Sequence, residues 1–110
     1  MTLDPSRVLL VFTTFPDADT ARELGTKLVE EQVAACVNLL APALSVYRWN
    51  GGVETAAEVP AIVKTTAGRF PELRELLLRI HPYEVPELVA VPVEDGAAAY
   101  LSWVAESVCG

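Results

Sequence analysis

His81 is the only histidine in the chain, so any imidazole chemistry, whether proton transfer or metal ligation, has to use it. It opens the run His81-Pro-Tyr-Glu-Val-Pro-Glu87, which brings Tyr83, Glu84 and Glu87 into its neighbourhood. Two readings compete. As a cation site, the imidazole with the carboxylates of Glu84 and Glu87 offers nitrogen and oxygen donors to a divalent metal. As a helix end, a histidine followed by proline satisfies the last carbonyls and faces the negative end of the helix dipole. A tight zinc or copper site takes three or four ligands, and Glu84 and Glu87 point to opposite faces if the segment is extended. A site shared between subunits is therefore easier to build than one within a single chain.

Tyr47, Arg48 and Trp49 sit beside Asn50-Gly51, where they can stack on a small ligand or anchor a neighbouring subunit. Lys64 lies inside the apolar run Ala61-Ile-Val-Lys-Thr-Thr66, and if its ammonium is buried it needs a carboxylate such as Glu84 or Glu87, which points to a structural ion pair at a subunit junction. Cys36 reads as a small core residue and Cys109 as a terminal thiol. With two cysteines there is neither a disulfide framework nor a Cys-x-x-Cys metal clip. A nucleophile elbow, a phosphate loop, a dinucleotide fingerprint and a His-Glu-x-x-His motif are all missing. An enzyme would have to use His81 as general base, with Tyr83 or Lys64 assisting.

These residues sit in a chain of 110, which is long enough for one core and too short for two. Residues 1–110 therefore read as one domain, with its core over about residues 8–108. Eight Lys and Arg against 15 Asp and Glu leave a net charge of −7, which disfavours nucleic acid and anionic membrane surfaces as partners. No stretch approaches the ~20 apolar residues of a membrane span, the first residues lack a signal-peptide core, and reduced thiols fit the cytoplasm. An apolar content of 52% is high for so small a body, and implies that other chains cover part of its surface.

Arg7 to Phe15 is apolar and β-branched without helical spacing, which predicts a doubly buried strand. Asp17 or Asp19 can cap the next helix, Thr20 and Glu23 match a capping box, and Ala21, Leu24, Leu28 and Val29 share a helical face. Val33 to Trp49 reads as strand bent at Pro42, Asn50-Gly51 as a type I′ turn, and Val53 to Thr66 as the returning arm, with Pro60 requiring an edge or a bulge. Arms of that length exceed the usual strand of about 5–6 residues, so the hairpin must project. Its open edges invite pairing with another sheet. Leu73, Leu76, Leu77 and Ile80 stripe a second helix that begins near Pro71 and stops at His81 before Pro82. Val85 to Val93 predicts a strand, and Ala97 to Val108 a last helix carrying Leu101, Val104 and Val108. The order β-α-β-β-α-β-α matches an α+β, ferredoxin-like βαββαβ sandwich with an extended hairpin and an extra C-terminal helix.

The runs LVEEQVAACVNLL (28–40), SVYRWNGGVE (45–54), VKTT (63–66), HPYEVPELVAVPVEDG (81–96) and YLSWV (100–104) together resemble the CutA family of divalent-cation tolerance proteins. The match runs from about Val8 to Val108. The resemblance implies a ferredoxin-like protomer and a homotrimer in which long hairpins pair between subunits. It further implies a non-enzymatic role in the response to metal ions, with a divalent cation, copper among the candidates, held at an intersubunit cleft. The family's copper proposal uses a first-strand cysteine, the histidine of HPY and a nearby glutamate. Here these positions are Thr13, His81 and Glu87, so the soft ligand is replaced by a hydroxyl, which suits harder ions better. The implied trimer also resembles that of PII signalling proteins, which makes a small organic ligand or a partner protein the alternative. Tyr47, Arg48, Trp49, Lys64 and Tyr83 would meet such a ligand.

Overall fold

The computed structural model describes residues 3–109, which form a mixed α+β fold of five strands and three helices. In chain order the elements are β1 (Val8–Phe15), α1 (Ala18–Glu30), β2 (Cys36–Leu39), β3 (Ala43–Trp49), β4 (Gly52–Thr66), α2 (Phe70–Ile80), β5 (Val89–Pro92) and α3 (Ala98–Ser107). The strands run β2-β4-β1-β5 across one antiparallel sheet, and β3 pairs with the free half of β4. No helix among the described residues is long and apolar enough to cross a membrane.

Residues Leu9, Val11 and Phe15 of β1 and Val59, Ala61 and Val63 of β4 point to one face of the sheet, where Ala21 and Leu28 of α1 and Leu73, Leu76 and Leu77 of α2 cover them. The opposite face carries Leu10, Phe12, Ile62, Val89 and Val91, which the strand register places together. Only one end of it is closed, where Val104 and Val108 of α3 pack on Val8 and Ala35.

Local signals decide where the elements stop. Asp17 caps α1 by accepting from the Thr20 backbone N–H at 2.7 Å, and the Thr20 bonds hold its carboxyl below the usual range. The expected Thr20–Glu23 capping box does not form, because the helix starts a turn earlier and Thr20 lies within it. Val29 is exposed rather than buried, and Gly25 takes the inner face, where a Cβ would meet Val37 Cγ1 at 3.3 Å. Pro71 falls in the first turn of α2, and His81 leaves the helix with φ −69° and ψ 138°, as its proline neighbour demands. Asn50 (φ 50°) and Gly51 (φ 77°) form the expected tight turn between Trp49 and Gly52.

Two expected strands are shorter than predicted. The run from Val33 to Trp49 breaks into β2 and β3, since Leu39 pairs with Ala61 but Ala43 pairs with Glu58, leaving one extra residue at Leu40-Ala41-Pro42. This bulge lies opposite Pro60, whose carbonyl accepts the Leu40 N–H at 2.9 Å. Carbonyl and nitrogen of one strand residue face the same neighbour, so the missing Pro60 donor falls at the bulge and lets proline sit in a central strand. The fifth strand begins only at Val89; Pro82 and Pro86 keep the preceding segment irregular.

Beyond Glu58, β4 and β3 leave the body as a two-stranded ribbon. Leu44, Val46 and Val53 on it are 71%, 64% and 70% exposed. The radius of gyration, 14.5 Å, exceeds the about 13 Å expected for a compact chain of this length, as a projecting arm requires.

Candidate functional site

A cleft of about 950 Å³ lies between the root of the ribbon and the segment following α2. One wall is built by strand alternation. Residues of a strand two apart share a face, so Glu54, Ala56 and Glu58 of β4 line up with Ser45 and Tyr47 of β3, which pair with them, and with Trp49. The other wall is the irregular stretch Pro82 to Glu87.

His81 fixes that second wall. The residue is 7% exposed, and its ring stacks on Phe15 with centroids 5.3 Å apart. Nε2 lies 2.8 Å from the Thr14 carbonyl, and Nδ1 accepts the Tyr83 backbone N–H at 3.0 Å. A carbonyl can only accept and a backbone N–H can only donate, so this pair of bonds uses Nε2 as donor and Nδ1 as acceptor. Neither nitrogen has a lone pair turned to the cleft. Within one chain His81 acts as a clamp between β1 and the 82–87 segment.

Tyr83 continues the clamp to the ribbon. Its hydroxyl donates to Glu58 Oε2 at 2.8 Å, and the Thr14 hydroxyl donates to the same oxygen at 3.4 Å. Burial first, and then the bond to Glu58 and its negative charge, push the Tyr83 phenol up to about 12. Tyr83 therefore remains a neutral donor at ordinary pH, and its ring packs on His81 at 4.8 Å.

Five of the expected site residues meet at this cleft: Tyr47, Trp49, Tyr83, Glu84 and Glu87. Arg48 does not, because alternation along β3 turns it to the other face, opposite Val53. Lys64 does not either. It lies six residues further along β4 than Glu58, about 20 Å at ~3.3 Å per residue, and donates to Asn38 Oδ1 beside Cys36, its cross-strand neighbour. Within one chain Lys64 therefore does not reach Glu84 or Glu87; among the described residues the ion pairs are Lys27–Glu31 and Arg79–Glu75. Cys36, expected in the core, is half-buried on the open sheet face with its thiol 3.9 Å from Asn38 Oδ1. Thr13 points into the helix-covered core, away from the cleft, with a fully buried hydroxyl that has no partner.

Glu54 and Glu58 are the cleft residues that the sequence reading missed. Their spacing of four in an expected strand puts both carboxylates on one face and is the signal that finds them. The cleft then holds four carboxylates and, among its described lining residues, no lysine or arginine. No group of three or more metal-ligating side chains comes together among the described residues. The carboxylates can attract a cation, but one chain does not supply a closed ligand set.

Residues 9–107 match the family model described as CutA1 divalent ion tolerance protein. The chain is 44% identical over 98 residues to the divalent-cation tolerance protein CutA of Thermus thermophilus, covering 89% of this chain and 95% of that one. It is 42% identical to the mouse protein CutA over 91% of this chain, but spans only 56% of that longer relative. Among solved structures, CutA from Xylella fastidiosa superposes with a TM-score of 0.90 at 39% identity, covering 93% of this chain and 98% of the other. CutA1 from a Shewanella species gives 0.91 at 38% identity, over 94% and 97%. Sequence and fold agree over nearly the whole length, and the chain belongs to the CutA family of divalent-ion tolerance proteins.

Proposed function

We propose that the protein serves divalent-cation tolerance without catalysing a reaction, as a ferredoxin-like homotrimer whose cleft carboxylates take the cation. The observation that carries this reading is the cleft itself, where Glu54, Glu84 and Glu87 gather with no neutralising side chain among the described lining residues. Oxygen donors of this kind suit harder ions than copper, and the engaged ring of His81, which turns no lone pair to the cleft, argues the same way. The incomplete ligand set is supplied by a second copy, brought up by the open sheet face and the apolar ribbon.

Calorimetric titration of Mn²⁺, Zn²⁺ and Cu²⁺, run beside sedimentation analysis, tests both parts. The double variant Glu84→Gln, Glu87→Gln is expected to lose the binding heat while keeping a trimer mass. Unchanged heats in that variant overturn the carboxylate site, and a monomer at micromolar concentration overturns the shared one.

A second reading, a PII-like trimer that binds a small organic molecule, is favoured by one observation. At about 950 Å³ the cleft falls within the ~300–1,000 Å³ of small-molecule pockets.

A further inference from the structure

A divalent ion with six waters fills roughly 200 Å³ at about 30 Å³ per water. That leaves most of the about 950 Å³ of the cleft unused. The walls say what else the space suits. Three aromatic side chains line it: Tyr47 and Trp49, two residues apart on one face of β3, and Tyr83 on the facing segment. Tyr83 is held in place by its bond to Glu58 and by the His81 ring, so this wall is built before any ligand arrives. Aromatic rings attract cations through their negative faces. The charges lining the cleft agree with them, since every ionisable group of fixed sign among the described lining residues is a carboxylate.

Other ligand classes fit less well. A phosphate or carboxylate ligand meets only negative charge, which makes a nucleotide the wrong occupant. A neutral organic molecule would strip water from the glutamates and return no charge to them.

We infer that the cleft binds a small organic cation, one carrying an ammonium, quaternary ammonium or guanidinium group on an apolar body. The head group lies among Tyr47, Trp49 and Tyr83, and the glutamates compensate its charge. This rests on the second reading above, that the cleft takes an organic ligand, and names the class.

Trp49 supplies the readout, because the other tryptophan, Trp103, lies on α3 outside the cleft and can be replaced. In the Trp103→Phe protein, choline, spermidine, the neutral choline isostere 3,3-dimethylbutan-1-ol, ATP and Zn²⁺ are titrated against Trp49 fluorescence, with calorimetry in parallel. Saturable binding of choline or spermidine is expected, at least about tenfold tighter than that of the isostere. Glu54→Gln and Tyr47→Leu are each expected to weaken it about fivefold, the size of a single cation–aromatic or exposed charge contact. If the isostere or ATP binds as well as choline, the cation assignment fails and the organic-ligand reading stands. If no organic compound binds, both fail; Zn²⁺ heats abolished by Glu84→Gln, Glu87→Gln then leave the metal reading alone.

Discussion

The two halves of β4 share one backbone and have opposite surroundings. From Val59 to Thr66 the strand pairs with β1, from Ala61 to Lys64 with β2 as well, and every second side chain is buried on the face under α1 and α2. From Gly52 to Glu58 it is paired with β3 alone, and Val53 remains 70% exposed. Strand propensity does not separate them, since valine, threonine and alanine occur in both. The inner half is stabilised by what covers it, the outer half by a turn and one ladder of hydrogen bonds. A two-stranded ribbon is marginal by itself in water, so the outer half is the less stable of the two. The cleft forms where the two halves meet, with Glu58 as the last residue of the ribbon and Val59 the first of the core.

The sharpest way to break the contrast is to hollow the inner side. Phe15 is fully buried and pairs with Val59. Phe15→Ala is expected to cost about 3–5 kcal/mol in urea unfolding, because lost transfer energy and a residual cavity add. It also removes the ring on which His81 stacks. A cost below about 1 kcal/mol would show that the inner half is not the stabilising one.

On the outer side the corresponding change is Gly51→Ala. A Cβ there meets nothing within 4 Å, so the whole penalty comes from forcing φ 77° on an L-residue, about 1–2 kcal/mol. In an isolated chain, fraying of the tip absorbs that cost. It should then appear as faster amide exchange across residues 46–56 with the urea midpoint unmoved. If copies hold one another's ribbons, as proposed, the penalty appears in global unfolding as well. A full loss in global stability for a monomeric sample would contradict the idea of an uncoupled ribbon.

The same division governs what the sequence made legible. Elements with a period or a punctuating residue were readable: β1 from its unbroken apolar run, α2 from its leucine stripe and the proline after His81, the hairpin from Asn50-Gly51. Features fixed by register were not. Tyr47 and Trp49 share a face with Glu54 and Glu58 because the bulge at Leu40-Ala41-Pro42 shifts β3 by one residue, and no local pattern announces a bulge opposite Pro60. Cys36 escapes the core for a related reason. It looks like a core residue in an apolar run, but it lies on the face that α3 closes only at one end. At the candidate site, the HPYEVPE run was visible as chemistry. Its histidine turned out to hold the wall rather than face the cleft, because both ring nitrogens find backbone partners.

At the junction of the two halves, Tyr83→Phe gives a smaller and pH-specific signal. Folding lifts the phenol from 10.0 to about 12, mainly through burial and then through Glu58. The unfolded chain therefore releases this proton near pH 10 while the folded protein keeps it until about pH 12. The stabilisation is complete below the unfolded value and is lost as pH rises through that window. Removing the hydroxyl is expected to cost about 1–1.5 kcal/mol at pH 8, the range of a hydrogen bond to a partly exposed charge. The loss should shrink between pH 10 and 12, a window set by the same two values. A difference between the proteins that stays constant to pH 12 would mean that Tyr83 and Glu58 do not interact.

The smallest effect lies deepest in the inner half. Thr13 is 1% exposed, and its hydroxyl is the one buried side-chain polar atom among the described residues without a partner. Leaving a hydroxyl unpaired in a core costs about 1–3 kcal/mol. Valine keeps the β-branched shape that a central strand prefers and removes the orphaned donor. Its second methyl is slightly larger than the oxygen it replaces, and close packing takes back part of the gain. Thr13→Val should therefore stabilise the protein by about 0.5–1 kcal/mol at unchanged urea slope. A destabilised Thr13→Val protein would mean that the hydroxyl is satisfied in solution, and a Thr13→Ser protein equal to wild type would then identify the oxygen as the group that matters.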